Sequence, residues 1–268
     1  MDSLPEFLDR HPRLLVLTGA GCSTGSGIPD YRDADGQWKR QPPVTGQAFM
    51  ADLRVRQRYW ARSLLGWPRL QAASPNDSHR ALVALEQRGQ VELLLTQNVD
   101  GLHQAAGSVQ VLDLHGRIDQ VRCMACAHRQ SRAAWQQALL RHNPDWADLH
   151  AAAAPDGDAD LEGQDFSRFD VPACPDCGGI LKPDVVFFGE NVPAARVEQA
   201  MAALARADAL LVVGSSLMVW SGYRFARVAA EQGKPIAAVN RGRTRADELL
   251  SLKLDQDCAA ALGFVLAA

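Results

Sequence analysis

The chain has 268 residues, of which 47% are hydrophobic, and its formal net charge is −3. This length allows one large domain with a smaller one, and the hydrophobic content supports a substantial core. The negative charge argues against a general nucleic-acid footprint, which usually shows as a strongly basic domain. No apolar run is long enough to span a membrane, and the acidic start lacks the character of a transit peptide, so we expect a cytoplasmic protein.

Five short apolar runs are typical of buried parallel strands. Each precedes a polar or glycine-rich turn, and helical patterns separate most of them. This alternation predicts an α/β fold with a Rossmann-like parallel sheet and helices on both faces. Ligands of such sheets bind at the carboxyl ends of the strands, and the functional motifs of this chain lie at those ends. The runs are Leu14–Leu17, Val91–Leu95, Val109–Leu112, Ala209–Val213 and Pro235–Val239.

Two segments interrupt the alternation and are predicted to form smaller modules. Residues 31–79 hold aromatic and basic helical stretches, and residues 117–181 hold two cysteine pairs. Within the second segment, the run Ala151–Asp160 has the composition of a solvated acidic loop, for which a mobile linker and a functional loop are equally open. The sheet domain is then predicted to comprise residues 1–30, 80–116 and 182–268.

Two Cys-x-x-Cys pairs predict a structural zinc site. Cys123 and Cys126 form the first pair, and Cys174 and Cys177 form the second. Each pair can present two thiolates from one tight turn, and four thiolates complete a tetrahedral site with no position open to substrate. The alternative is a pair of disulfides, which a reducing cytosolic compartment disfavours.

A glycine-rich loop, Gly19–Gly27, follows the first predicted strand. Glycines let the backbone approach a pyrophosphate closely, and a following helix N-terminus offers free N–H groups to an anion. Alone, such a loop is a weak signal for nucleotide binding. It departs from the Gly-x-Gly-x-x-Gly fingerprint, and no acidic ribose partner lies at the expected distance, which disfavours a redox dehydrogenase.

The motifs together resemble those of the sirtuins, which are NAD-dependent protein-lysine deacylases. They run in the family order and cover nearly the whole chain. The stretch Ala154–Asp158, with Pro172–Cys174, resembles the class II branch, which includes the fourth, mitochondrial, human sirtuin, and we expect a bacterial member of it. The motifs are Gly19–Arg32, Thr96–His103, Leu114–Gly116, the four cysteines, Lys182–Glu190 and Gly214–Leu217.

The resemblance implies NAD as co-substrate, one structural zinc ion and acylated protein lysines as substrates. Its products would be nicotinamide, acyl-ADP-ribose and free lysine. His115 and Asn98 are the implied catalytic residues, with His115 as general base for a ribose hydroxyl, although a lone histidine is more often structural. Residues 31–79 would then include the cofactor loop. The implied NAD-binding residues are Gly19, Ala20, Gly21, Ser23, Ile28, Asp30, Tyr31, Arg32, Gln97, Asn98, Asp100, Gly214, Ser215, Ser216, Asn240 and Cys258.

The resemblance also implies a peptide-binding segment. The run Val185–Glu190 would pair with the substrate peptide by strand addition, and the alternative is a plain core strand. Asp100 has a structural alternative too, as a helix N-cap. The implied substrate residues here are Val185, Phe187, Phe188, Gly189, Glu190 and Val219, the last as a wall of the acyl-lysine tunnel.

Tyr59 and Arg62 bear on which acyl group of the substrate lysine the protein prefers. They are three residues apart and therefore share one helical face. The spacing matches the Tyr-x-x-Arg pair of desuccinylase-type sirtuins, in which arginine binds a carboxylate. We hypothesise a preference for acidic or longer acyl groups; simple packing of the helical module is a nearly equal alternative.

Two further functions compete with deacylation. The activated ribose carbon of NAD would also permit protein ADP-ribosyl transfer. A non-catalytic NAD sensor is the third possibility, but the polar set of Gln97, Asn98, Asp100 and His115 speaks against it, because a pure binder does not need a base beside the ribose.

Overall fold

The computed structural model of the chain describes residues 3–39, 42–146, 149, 152–154, 158–161 and 164–267. The strands in this part are β1 (Leu14–Thr18), β2 (Val91–Thr96), β3 (Val111–Asp113), β4 (Gly116–Cys123), β5 (Arg129–Ser131), β6 (Ala152–Ala154), β7 (Asp158–Asp160), β8 (Leu181–Val185), β9 (Ala209–Val213), β10 (Ile236–Val239) and β11 (Leu252–Leu254). The α-helices are α1 (Leu4–Arg10), α2 (Gly46–Ala51), α3 (Leu53–Ala72), α4 (Asp77–Gln87), α5 (Leu102–Ala106), α6 (Arg132–His142), α7 (Ala194–Arg206), α8 (Trp220–Glu231) and α9 (Cys258–Ala267).

Six parallel strands form the main sheet, in the order β11-β10-β9-β1-β2-β3. Every residue of β1 is buried because helices cover both faces of the sheet. Leu14 and Val16 pack with α1, α4 and α9 on one face. Leu15 and Leu17 pack with α7 and α8 on the other face, as the two-residue period of a strand requires.

The predicted parallel sheet is confirmed, and all five apolar runs contribute strands to it. The third run begins pairing only at Val111, two residues later than predicted. Strand β11, which pairs with β10 at the edge of the sheet, was not predicted. Its three residues, Leu252–Leu254, include a lysine, so no apolar run is visible there.

A separate antiparallel sheet, in the order β5-β4-β8, belongs to the cysteine-containing module. Its core lies against the aromatic side chains of α3 and α6, including the fully buried Trp60 and Trp135. Strand β8 pairs with β4, so the predicted boundary at residue 182 falls inside a strand of the small sheet. No described helix is both long and apolar enough to cross a membrane.

The predicted acidic loop is partly structured. Its residues on either side of 155–157 pair as the antiparallel strands β6 and β7. Ala159 in β7 is buried, and its carbonyl accepts a hydrogen bond from Nε of Arg62 in α3 at 2.8 Å. Residues 151 and 155–157, which include most of the stretch that resembles class II, lie outside the described residues.

Candidate functional site

A cavity lies at the carboxyl ends of β1, β2, β9 and β10, where the fold places ligands of parallel sheets. His115 lies on its wall. Most of the residues implied to bind NAD line it as well. Those residues are Gly19, Ala20, Gly21, Asp30, Tyr31, Arg32, Gln97, Asn98, Gly214, Ser215, Ser216 and Asn240.

The glycines of this cavity allow two turns to meet. Gly214 follows β9 with a φ of 63°, in the left-handed region that favours glycine. The N–H of Gly21, after β1, donates to the carbonyl of Gly214 at 2.8 Å. A β-carbon on Gly19 would lie 2.8 Å from Cβ of Ser215. The close approach leaves main-chain atoms of these turns at the cavity surface, which fits the binding of a pyrophosphate.

A buried hydrogen-bond network orients Asn98. Its Nδ2 donates to the carbonyl of Gly19 and to Oγ of Ser23, both at 3.0 Å. Ser23 in turn donates to Oδ2 of Asp100 at 2.7 Å. Oδ1 of Asp100 accepts from the N–H of Leu102 in the first turn of α5 at 2.9 Å. The N-cap of α5 is Gly101, so Asp100 is not the N-cap itself; it supports the network behind Asn98 and accepts from the first N–H of the helix.

Four of the implied NAD residues do not line the cavity. Ser23 and Asp100 lie behind it, in the network that holds Asn98. Ile28 is buried in a cluster with Trp67 and other apolar side chains. Cys258 is buried in the core under the sheet. These four residues therefore lie behind the cavity and not on its surface.

Gln97 connects the sheet edge to helix α8. Its Nε2 donates to Oγ of Ser215 at 2.7 Å. Its side chain also packs against Gly222, where a β-carbon would lie 2.5 Å from Oε1 of Gln97. The glycine in the first turn of α8 therefore makes room for the Gln97 amide at the cavity.

His115 is held at both ring nitrogens. Nδ1 lies 2.9 Å from the main-chain oxygen of Gln97, and Nε2 lies 2.8 Å from Oγ of Ser221. Because a carbonyl oxygen only accepts, Nδ1 carries the proton. Burial, with smaller effects of Arg196 and Arg224, lowers the pKa of His115 to about 4. The ring is therefore neutral at pH 7, with a lone pair on Nε2.

Two other histidines, His79 and His103, are buried at the amino-terminal turns of α4 and α5. Nδ1 of His79 accepts from the N–H of Asn76 at 3.2 Å. Nε2 of His103 lies 2.9 Å from Oγ1 of Thr18. Burial lowers the pKa of His79 to about 4 and that of His103 to about 3. Both histidines are buried inside the fold and are not among the residues that line the cavity.

The predicted peptide-binding segment is held by a buried lysine. Nζ of Lys182 donates to Oε2 of Glu190 at 2.9 Å, and the N–H of Phe187 donates to the same oxygen at 2.8 Å. Strand β8 ends at Val185, so residues 186–190 do not form a plain core strand. Val185, Phe187, Phe188, Glu190 and Val219 line the cavity, whereas Gly189 is exposed beside Gln47.

The four cysteines of the two Cys-x-x-Cys pairs come together. Sγ of Cys123 lies 3.5 Å from that of Cys177, and Sγ of Cys126 lies 3.8 Å from that of Cys174. All four sulfurs lie within 4.8 Å of one another. A tetrahedral zinc ion with bonds of ~2.3 Å needs sulfurs about 3.8 Å apart, so the donor set fits Zn²⁺. Disulfide sulfurs would be about 2 Å apart.

The family model described as the Sir2 family matches residues 19–221. The chain belongs to this family. A Xanthomonas campestris pv. campestris (strain 8004) protein named NAD-dependent protein deacetylase is 68% identical over 263 residues, which are 98% of this chain and 90% of that protein. A Bordetella bronchiseptica (strain ATCC BAA-588 / NCTC 13252 / RB50) protein of the same name is 64% identical over 266 residues, 99% of this chain and 97% of that protein. These bacterial relatives agree with the expected bacterial source, and the class II assignment stays a prediction.

Solved sirtuin structures share the fold of this chain. A complex of Sir2 with a p53 peptide and NAD+ has a TM-score of 0.78 at 28% identity, covering 98% of this chain and 95% of that one. Sir2Tm bound to a propionylated peptide has a TM-score of 0.76 at 29% identity, covering 99% and 98% of the two chains.

Tyr59 and Arg62 are not among the lining residues of the sirtuin cavity. The Tyr59 ring packs behind it, 5.2 Å from the ring of Phe187 between centroids. The Arg62 side chain reaches β7 through its hydrogen bond to Ala159. This placement favours the packing interpretation of the pair over binding of a carboxylate on the acyl chain.

Sequence reasoning missed several residues that line the cavity. Ser221 is the one whose side chain contacts the imidazole of the proposed base, and its position shortly after the Gly214–Leu217 motif was the available signal. The hydrogen bond itself joins residues far apart in the chain, which no local pattern reveals. Val99, Val186 and Leu217 lie in the quoted motifs but had no individual role assigned, and the other missed lining residues are Asp33, Trp38, Val192 and Arg241.

Proposed function

We propose that this chain is an NAD-dependent protein-lysine deacetylase. The observation that carries the proposal is the neutral His115 imidazole, whose Nε2 lies in a cavity lined by the glycine turns of the sirtuin motif. The relatives that bear the name NAD-dependent protein deacetylase match nearly the whole chain, which supports the same activity here.

The residues of the cavity fit NAD. The turns at Gly19–Gly21 and Gly214 would hold the phosphates through main-chain groups, and Asn240 would contact the adenosine half. Gln97 and Asn98 would bind the ribose and nicotinamide. When bound, NAD would supply an activated ribose carbon that releases nicotinamide on attack by the acyl oxygen, and a ribose hydroxyl that takes up the acyl group. His115 would accept a proton from a ribose hydroxyl at Nε2, because its lone pair lies there.

An aromatic wall of the cavity would limit access of water to the reacting atoms. The aromatic rings of Tyr31, Trp38 and Phe188 contact one another at centroid distances of 5.6–6.3 Å on one wall. Developing positive charge on the ribose is best stabilised in a polar, preorganised site that excludes bulk water. Val219, which is exposed at the cavity, would contact the aliphatic part of the lysine side chain.

The peptide around the acetylated lysine would bind along residues 185–190. Glu190 and Lys182 fix this segment, and the N–H of Gly46 donates to the carbonyl of Phe188 on one side of it, so strand addition would use the other edge. The zinc site lies outside the cavity lining and, with four thiolate ligands, has no open position, so its role is structural. A site of four thiolates also suits a reducing compartment, and we place the enzyme in the cytoplasm.

Mass spectrometry of acyl-lysine peptides incubated with NAD tests the proposal. We expect nicotinamide, acyl-ADP-ribose and free lysine from the parent chain, and none of them from His115→Tyr, with acetyl-lysine among the best substrates. A covalent ADP-ribosyl adduct on the protein or peptide would instead indicate ADP-ribosyl transfer. NAD binding without any product would indicate a sensor, and either result would overturn the proposal.

A further inference from the structure

We propose that Ser221 is a positioning residue for His115: its hydroxyl holds Nε2 at the cavity and accepts a hydrogen bond from Nε2–H once the ring is protonated. This inference rests on the proposed function, in which His115 is the general base. It concerns a residue outside the sirtuin motifs of the sequence, and its evidence is the hydrogen bond of 2.8 Å between Oγ of Ser221 and Nε2 of His115.

The direction of this hydrogen bond follows from the contact that Nδ1, the other ring nitrogen, makes. Nδ1 faces the carbonyl oxygen of Gln97, which cannot donate. The proton of the neutral imidazole is therefore on Nδ1, and Nε2 is the acceptor. The hydroxyl of Ser221 must then donate the hydrogen bond to Nε2. The two contacts together fix both the tautomer and the plane of the ring, which is the usual requirement for a histidine base.

A hydroxyl can hydrogen-bond to Nε2 in both protonation states of His115, as a donor to the neutral ring and as an acceptor from the protonated ring. Rotation about the Cβ–Oγ bond turns the Ser221 proton away and frees the single Nε2 lone pair for the proton of a ribose hydroxyl. Once Nε2 holds that proton it becomes a donor, and Oγ of Ser221 accepts a hydrogen bond from it. No atom of the backbone has to move. The protonated ring is otherwise poorly accommodated, because burial and the positive charges of Arg196 on α7 and Arg224 on α8 all disfavour it. A hydrogen bond from a charged donor is stronger than one from a neutral donor, so Ser221 favours the protonated form.

The start of α8 explains how Ser221 reaches the ring. Val219 is the N-cap residue of this helix, and no side-chain hydrogen bond closes its first turn. The Ser221 hydroxyl is thus used for His115 and does not cap the helix. The next residue, Gly222, has no side chain and admits the Gln97 amide. Consecutive residues of α8 therefore accommodate Gln97 and hold His115.

The test compares Ser221→Ala and Ser221→Thr with the parent chain by two independent readouts. The first is nitrogen-15 NMR of the His115 ring in the absence of NAD, followed across pH. In Ser221→Ala we expect the Nε2 resonance to lose the shift caused by an accepted hydrogen bond, and the pKa of His115 to fall by about half a unit to one unit. Ser221→Thr keeps the hydroxyl and should restore both values.

The second readout separates the base-dependent step from nicotinamide release. Ser221→Ala should lower kcat for deacetylation about tenfold and leave the rate of nicotinamide–NAD exchange within about twofold, since that exchange does not use the base. Glu231→Gln, an exposed change at the far end of α8, should leave both rates and the ring resonances unchanged.

Two results would overturn the inference. An unchanged Nε2 resonance and titration in Ser221→Ala would show that the serine does not act on the ring. Equal losses of exchange and deacetylation would show that the substitution only disturbs the cavity. If the parent chain formed no deacetylation product, the proposed function would fail, while the ring titration would still decide whether Ser221 positions His115.

Discussion

Gly214 and Cys22 are in direct main-chain contact, since a β-carbon on Gly214 would lie 2.2 Å from the amide nitrogen of Cys22. The two residues belong to the turns that follow β9 and β1, which are neighbours in the sheet. Gly214 also has a φ of 63°, so its conformation and its surroundings both exclude a side chain. The phosphate-binding region of the proposed NAD site therefore depends on this contact.

We expect Gly214→Ala to lower the free energy of unfolding by at least about 2 kcal/mol, because strain and a clash with backbone combine, and to abolish NAD binding. The matched control is Gly89→Ala, whose φ is 74° but whose β-carbon would meet no atom within 4 Å. That change should cost only about 1 kcal/mol from the left-handed conformation. Urea unfolding and NAD titration calorimetry measure both effects. Equal stability losses in the two variants would contradict the close contact.

Much of the fold could be predicted because buried parallel strands are nearly continuous apolar runs. Such runs located β1, β2, β9 and β10, and the motif residues that follow them converge at one edge of the sheet. The edge strand β11 and the hairpin of β6 and β7 have three residues per strand and no run of large or β-branched apolar side chains, since β6 consists of alanines, so hydrophobic patterning could not find them.

The sequence predicted which residues belong to the NAD site, but not which of them line the cavity and which lie behind it. Sequence motifs do not distinguish a side chain that lines the cavity, such as Asn98, from one that supports it, such as Asp100. Contacts between distant segments were also hidden. The pairing of Ser221 with His115 arises because the start of α8 contacts Gln97 and His115, which follow β2 and β3. The placement of Arg62 depends on the position of β7.

The buried histidines predict how stability depends on pH. The folded-state pKa values of His79 and His103, about 4 and about 3, lie below the ordinary value of 6.5. Between pH 6.5 and 4 the unfolded chain therefore binds more protons, and stability falls as the pH falls through this window. Each imidazole should contribute a loss of about 2 kcal/mol at pH 5 relative to pH 7.

Urea unfolding midpoints at pH 7 and pH 5 measure this loss. In His103→Gln the difference between the two pH values should shrink by about 2 kcal/mol, the contribution of one imidazole. His142→Gln, at an exposed histidine beside Asp170, is the control and should retain most of the difference. A parent chain whose stability is the same at pH 7 and pH 5 would show that these histidines are not buried in neutral form.

The zinc site should stabilise the position of the peptide-binding segment, residues 185–190, through the small sheet. Cys123 ends β4 and pairs with Leu181, the first residue of β8, whose last residue, Val185, lines the cavity. We expect Cys177→Ser to lose the bound zinc and to raise KM for the peptide more than KM for NAD, because the glycine turns lie on the other sheet. Metal analysis and steady-state kinetics provide the comparison.

The control is Cys258→Ser, at a buried cysteine outside the cluster, which should keep one zinc per chain. Full zinc content in Cys177→Ser would rule out the four-cysteine site.

Arg62→Met decides between the two interpretations of the Tyr59 and Arg62 pair. Arg62 contacts the carbonyl of Ala159 and does not line the cavity, so the ratio of kcat/KM for acetyl-lysine to that for succinyl- or glutaryl-lysine should stay within about twofold. Stability should fall by about 1 to 3 kcal/mol through the lost hydrogen bond of a charged donor. Arg58→Met, on an exposed turn of the same helix, is the control for removing a positive charge. If Arg62→Met alone raised the ratio tenfold or more, Arg62 would bind the acyl carboxylate, and the preference for acidic acyl groups would be correct.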